Sequence, residues 1–330
     1  MKLMMKRIRT LTVIGLTLIL SMAIGCQRDE NGPSTIQTDQ PSAGRVALLM
    51  KARTNPFFDE MARGAENAAK ENNVDLIVMA IDKETDTAGQ AAQVETAISQ
   101  GVQVILIAPA DSKAIVAPLL QAQSHGIRII NLDNRIDAAA AQQANLKVEA
   151  FIGPDNREGA RKSAEALFQA IGGKGKVAML EGIRGVDNAE NRKRGFLDAV
   201  KNTGDKISIA VMDTAEWATE PAQQKMEAIL NTHPDLKGVF CANDMMALGA
   251  IQAIASAGKT GQVMVSGYDN LKPARQAIVA GTLVATVDQH PDLMGGKGVQ
   301  AALSLIRGEA IPAEIAVPTD LVAKKDITNQ

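Results

Sequence analysis

The sequence predicts an α/β protein of two similar lobes, each a doubly wound, mostly parallel sheet with helices on both faces. Three observations lead there. With 330 residues the chain exceeds the size at which one hydrophobic core keeps growing. Short apolar runs alternate with amphipathic stretches along most of its length, the pattern of right-handed strand–helix–strand units. Several of those runs are apolar on both faces, as strands covered from both sides must be.

Residues 1–26 stand apart from this pattern. Lys2, Lys6, Arg7 and Arg9 make a positive start, and Leu11 to Ile24 is nearly all apolar, interrupted by Thr12, Gly15, Thr17 and Ser21. The stretch is too short, and too soon followed by polar residues, to be a comfortable membrane span, so it reads as an export signal. It ends Ala23-Ile24-Gly25-Cys26, which resembles a bacterial lipoprotein signal, in which the cysteine is lipidated and becomes the new N-terminus. Such signals usually carry Leu where Ala23 stands, and the competing reading is a secretory signal with an incidental cysteine. Acyl chains on Cys26 would anchor a soluble body to a membrane, at about 0.8 kcal/mol per buried methylene. Residues 27–43 contain Asn31-Gly32-Pro33-Ser34 and Pro41-Ser42 and almost nothing apolar. They are expected to form a flexible tether, with the folded body starting near Gly44.

Ten strand-like runs follow: Val46–Met50, Leu76–Met79, Val102–Ile107, Ile127–Leu132, Val148–Ile152, Lys176–Leu180, Ile207–Met212, Gly238–Cys241, Val263–Ser266 and Leu283–Val287. Helix faces lie between them. Ala91, Val94 and Ile98 share one face, and Ala160, Ala164, Leu167 and Ile171 share another. Ten strands make a large single sheet, whereas a division near Pro154 gives five on each side.

Composition excludes several classes of activity. The net charge of −2 offers no basic field for nucleic acid. The two cysteines, Cys26 and Cys241, and the scattered His125, His233 and His290 supply neither a disulfide framework nor a zinc-hydrolase spacing. No G-x-G-x-x-G follows a strand, no G-x-x-x-x-G-K-[ST] occurs, and no G-x-S-x-G elbow is present. Gly172-Gly173-Lys174-Gly175-Lys176 precedes a strand and reads as a turn. The place of an N-terminal DNA-binding module is taken by the export signal. We therefore expect no catalysis, no metal and no cofactor; a Rossmann-type enzyme is a remote alternative.

In open α/β sheets ligands bind beyond the carboxyl ends of the strands, and two lobes can turn those ends toward each other across a cleft. Met50 is followed by Lys51-Ala52-Arg53-Thr54-Asn55-Pro56-Phe57-Phe58, and Leu132 by Asp133-Asn134-Arg135. Leu180 leads to Glu181 through Gly185, with Arg192 in the next helix, and Met212 leads to Asp213 through Trp217. Cys241 precedes Ala242-Asn243-Asp244, Ser266 precedes Gly267-Tyr268-Asp269-Asn270, and Val287 precedes Asp288-Gln289-His290. Aromatic residues are only 2% of the chain, yet the one Trp, the one Tyr and two of the six Phe fall in these loops, although a core would be expected to take them first. The same loops carry Asn, Asp, Arg and Gln. A sugar needs both kinds of group: planar polar side chains that satisfy neighbouring hydroxyls, and rings against its C–H faces.

Each candidate also has a local reading. Asn55-Pro56 fits a turn and helix start, and Phe57 or Phe58 fits inward packing. Asp133 and Asn243-Asp244 fit helix caps, with Asp244 the better cap candidate. Arg192 fits a solvated helix face beside Lys193 and Arg194, Lys51 fits a solvent-pointing lysine, and Cys241 fits a small buried residue.

Taken in order, Asn55-Pro56-Phe57-Phe58, Asn131-Leu132-Asp133, Arg192 to Gly195-Phe196, Asn243-Asp244-Met245-Met246-Ala247-Leu248-Gly249 and Gly267-Tyr268-Asp269 resemble the periplasmic sugar-binding proteins of ABC importers, of the ribose- and allose-binding type. The resemblance covers Arg45 to the C-terminus. It implies two Rossmann-like lobes of the type I periplasmic-binding-protein fold, joined by a three-segment hinge near Pro154-Asp155, His290-Pro291 and Pro318–Asp320. The lobes would then be 45–154 plus 291–319, and 155–290 plus 320–330. It implies an exported, monomeric protein that captures a monosaccharide or related polyol by cleft closure and hands it to ABC permease subunits; the alternative is a sugar-sensing protein that feeds a membrane receptor or kinase. The family's ligand residues carry over onto Asn55, Phe57, Phe58, Asp133, Arg192, Trp217, Asn243 and Asp269, with Lys51, Asn134, Tyr268 and His290 also at contact positions. The rings of Phe58 and Trp217 would bracket the sugar. The chain departs from the ribose type at Lys51, Asn134, Trp217 and His290. Lys51, Trp217 and Cys241-Ala242-Asn243-Asp244 look closer to the allose type, from which Tyr268 in turn departs. A hexose, sugar alcohol or cyclitol is thus expected over ribose.

Overall fold

The computed structural model describes residues 42–328. The export segment with Cys26, and the tether up to Pro41, lie outside the described residues. Strands β1 (Arg45–Met50), β2 (Asp75–Ala80), β3 (Val104–Ile107), β4 (Arg128–Leu132) and β5 (Val148–Pro154) make the first sheet together with a strand from far along the chain, β11 (Glu314–Val317). Their order is β11-β5-β4-β3-β1-β2, and every neighbouring pair is parallel. Val46 to Met50 and Val104 to Ile107 are fully buried, which explains their unbroken apolar sequence.

The second sheet contains β6 (Gly175–Glu181), β7 (Ile207–Thr214), β8 (Leu236–Cys241) and β9 (Met264–Ser266), parallel in the order β7-β6-β8-β9. Strand β10 (Ala285–Asp288) pairs antiparallel with β12 (Asp320–Ala323). Backbone bonds from Val284 N to Val265 O (2.8 Å), Gly267 N to Ala285 O (2.9 Å) and Asp269 N to Val287 O (2.8 Å) join this pair to the β9 edge. The order along this sheet, β7-β6-β8-β9-β10-β12, repeats that of the first sheet read from its β2 edge.

Helices α1 (Pro56–Glu71), α2 (Thr87–Ser99), α3 (Val116–Ser124), α4 (Ala138–Ala144) and α5 (Asn156–Ala170) follow the strands in turn. They continue with α6 (Asp187–Lys201), α7 (Thr219–Thr232), α8 (Asp244–Ser256), α9 (Lys272–Ala280), α10 (Pro291–Ile306) and the short α11 (Lys324–Thr328). The chain leaves the first sheet after β5, returns after β10 into α10, and leaves again between β11 and β12. Helix α10 lies so close to α1 that a Cβ on Gly295 would stand 2.1 Å from Met61 O, and one on Gly64 would stand 2.0 Å from Asp292 O. Only glycine allows that approach.

All ten expected strand runs form strands, with ends displaced by up to two residues. Strands β11 and β12 were not expected. Glu314–Val317 and Asp320–Ala323 are short and largely exposed, so they carry little of the apolar pattern that betrays a buried strand.

Candidate functional site

The carboxyl ends of both sheets face one cavity of about 240 Å³, below the roughly 300–1,000 Å³ usual for drug-sized ligands. From the first lobe come Lys51, Asn55, Phe57 and Phe58 after β1, Glu84 after β2 and Asp133 after β4. The second lobe supplies Asn188 and Arg192 from α6, Trp217 after β7, Asn243 after β8, Asp269 after β9 and Gln289 after β10.

Local chemistry explains how several of these are held. Asn55 caps α1, its Oδ1 accepting from Phe57 N at 3.1 Å, which leaves Nδ2 to donate to Glu84 Oε1 at 3.0 Å. Asn243 caps α8 through Met246 N (2.9 Å) and donates to Trp217 O (3.1 Å). Asp133 and Trp217 sit at φ 59° and 67°, conformations costly for residues with a Cβ and common at ligand sites. Asp244, rather than capping α8, holds Leu271 N (2.9 Å) and the Thr286 hydroxyl behind the cavity; burial pushes its carboxyl up to about 7.

Charge in the cavity is dense and buried. Lys51, 1% exposed, has Nζ 3.7 Å from Glu84 Oε2 and 4.0 Å from Asp133 Oδ2, and 5.9 Å from the ring centroids of both Phe58 and Trp217. Arg192, 2% exposed, donates to Asn156 Oδ1 (2.8 Å), Ala242 O (2.7 Å) and Gln289 Oε1 (3.3 Å), and its Nη1 lies 3.5 Å from Asp269 Oδ1. Gln289 also donates to Asp269 Oδ1 at 2.6 Å. Asp133 Oδ1, Asn188 Oδ1 and Trp217 Nε1 are buried without a hydrogen-bond partner among the described residues. Buried polar atoms are ordinarily paired, so these three mark where a polar ligand would be received.

Burial raises the carboxyls of Glu84, Asp133 and Asp269 above their ordinary range, opposed by Lys51 for the first two and by Arg192 for Asp269. A carboxyl raised in the folded protein favours folding while protonated. That contribution is complete below the ordinary value of about 4 and is lost as pH rises through the raised one. The ligand-free protein is therefore expected to lose stability from this cluster as pH rises above about 4. Asp133→Asn, which removes one of these three carboxyls, should show a shallower fall in melting temperature as pH rises. Identical slopes by scanning calorimetry would contradict the assignment.

Two hydrogen bonds staple the lobes at the start of α6. Asn188 N donates to Asn134 Oδ1 (3.1 Å) and Asp187 N to Ser112 Oγ (3.2 Å), so residues of the first lobe satisfy N–H groups that a helix leaves open. Ser112→Ala removes the second of these and nothing else in the cavity. It is expected to weaken ligand binding about two- to tenfold, the value of one hydrogen bond, mainly through faster release measured by stopped flow.

Nine of the twelve expected ligand residues line the cavity; Asn134, Tyr268 and His290 do not. Asn134 is fully buried behind it, donating to Pro109 O (3.0 Å) and accepting from Asn188 N. Tyr268 lies beneath Arg192, its ring centroid 3.8 Å from the guanidinium carbon. His290 turns away at φ 49° and meets Asp320 Oδ2 at 2.7 Å, and its neighbour Gln289 takes the cavity position. Glu84, Asn188 and Gln289 were missed. Asn188 lies four residues before Arg192 on one helix face, a signal present in the sequence; Glu84 follows a strand end that offered no aromatic residue.

A profile of the periplasmic binding protein domain matches residues 46–310. The chain is 38% identical to the D-ribose/D-allose-binding protein of Pseudomonas aeruginosa, over 88% of this chain and 92% of that one. It is 33% identical to the D-allose-binding periplasmic protein of Escherichia coli, over 87% and 93%. A periplasmic solute-binding protein of an ABC transporter from Actinobacillus succinogenes, solved with bound D-allose, superposes with a TM-score of 0.82 at 40% identity, covering 87% of this chain and all of that one (100%). The chain belongs to the periplasmic binding protein family, whose members bind solutes and are not enzymes, and its two parallel-sheet lobes have the type I fold of that family.

Proposed function

We propose that this protein is an extracytoplasmic solute-binding protein that closes on a monosaccharide or closely related polyol and presents it to an ABC transporter. One observation carries the reading: a small cavity whose walls combine the rings of Phe57, Phe58 and Trp217 with paired cations and carboxylates, and which keeps polar atoms on both lobes without a partner among the described residues. Hydroxyls both donate and accept, so one ring could satisfy Asp133 and Arg192 from opposite sides. Contacts to both lobes exist together only in the closed form, so the ligand shifts the population toward closure. The lobes we assign to this motion are 45–154 plus 291–319, and 155–290 plus 320–330. Similarity to ribose- and allose-binding proteins supports the sugar class, and Lys51 with Trp217 favours a hexose or hexose-like polyol. Lipidation at Cys26 is our reading of how the body stays at the envelope; mass spectrometry of the exported protein, with and without Cys26→Ala, would show or refute the acyl mass.

A thermal-shift panel of pentoses, hexoses, hexitols, inositols, sugar phosphates and amino acids tests the sugar reading. One or a few neutral polyols should raise the melting temperature, by about 2.7 kcal/mol of stabilisation at a hundredfold excess over Kd. A rise with amino acids or anionic sugars alone would overturn it.

A further inference from the structure

We infer, given a sugar in the cavity, that Tyr268 is a positioning residue: its ring is the platform that fixes the Arg192 guanidinium where it reads ligand hydroxyls. Tyr268 is fully buried and does not line the cavity, yet the Arg192 guanidinium carbon lies 3.8 Å from the centre of its ring. The Trp217 ring, a wall of the cavity, lies farther from the guanidinium carbon, at 5.4 Å. The guanidinium thus rests closest to a ring hidden beneath the cavity. Three of its five N–H donors go to Asn156, Ala242 and Gln289, which fixes its edges; the Tyr268 face fixes its plane. The remaining donors then stand in a set orientation, as recognition of neighbouring hydroxyls requires.

The surroundings of Tyr268 make room for the whole side chain but offer its hydroxyl no partner among the described residues. Helix α5 carries glycine where the ring passes: a Cβ on Gly159 would stand 2.4 Å from Tyr268 Oη and 3.0 Å from two ring carbons. The backbone holds the residue from the other side, Asp244 N donating to Tyr268 O at 2.7 Å. An aromatic face is the one property of this side chain that the cavity uses.

The test measures the affinity of the purified protein for the polyol that binds best, and for that polyol's deoxy analogues, in wild type, Tyr268→Phe, Tyr268→Leu, Arg192→Lys and the double variant Tyr268→Leu/Arg192→Lys. Tyr268→Phe should bind within about twofold of wild type. Tyr268→Leu should lose about thirtyfold, the scale of a desolvated cation–ring contact, and should discriminate less against the deoxy analogue lacking the hydroxyl that Arg192 meets. In the Arg192→Lys background, where no planar group remains to be stacked, the same leucine change should have little effect. Loss of binding in Tyr268→Phe would overturn the inference, because the hydroxyl would then be the active part. So would a Tyr268→Leu protein with wild-type affinity and discrimination, or a leucine effect that is undiminished in the double variant. Failure of every polyol to bind wild type would instead remove the sugar reading and this inference with it.

Discussion

Arg192→Ala is expected to weaken ligand binding roughly a thousandfold, the largest single effect in the cleft. The side chain is 2% exposed and spends three donors on the protein, so it does not move freely to and from the ligand. Removing it deletes charge-assisted bonds to hydroxyls, worth about 1.5–3 kcal/mol each. It also takes from Asp269 the cation that opposes the burial-driven rise of its carboxyl and leaves Gln289 as its hydrogen-bond partner, so the cavity loses charge on both sides of the pair. Arg192→Lys should recover only part of the affinity, since an ammonium can replace the charge but not the fork that spans Asn156, Ala242 and Gln289. Calorimetric titration checks both variants; affinities within tenfold of wild type for Arg192→Ala would place the ligand elsewhere.

The second large effect concerns stability. Gly295→Ala places a methyl group 2.1 Å from Met61 O and 2.9 Å from Ala65 N, both backbone atoms of α1 that cannot swing aside. Helices α1 and α10 must part, at a cost of about 2–3 kcal/mol. The melting temperature should fall by roughly 4–12 °C, while folded protein at low temperature keeps its ligand affinity because Gly295 lies outside the cavity. An unchanged melting temperature would mean that the helices are not in backbone contact.

The fold was legible because its central strands are buried from both sides: Val46–Met50 and Val104–Ile107 are continuous apolar runs. Exposed edge strands such as Glu314–Val317 obey no such constraint and were missed. The site was legible where aromatic residues cluster just beyond a strand end, as with Trp217 in its loop and Phe57-Phe58 in the first turn of α1. It failed at two kinds of position. A one-residue shift in register at the crossing into α10 exchanges Gln289 for His290, and only the backbone turn at φ 49° decides which of them faces the cavity. Residues that serve from behind, Asn134 stapling the lobes and Tyr268 supporting Arg192, sit in the same loops as true lining residues, and sequence position cannot separate the two roles.

The central claim is that a neutral polyol is held in the cleft between the lobes. Trp217 is the sole tryptophan of the chain and a wall of that cavity. Its emission should therefore change saturably when the polyol identified by thermal shift is titrated into wild-type protein, with the same midpoint as the calorimetric Kd, and the change should vanish at those concentrations in Arg192→Ala. A polyol that binds by calorimetry while Trp217 emission stays constant, or a change that survives undiminished in Arg192→Ala, would contradict capture at this site.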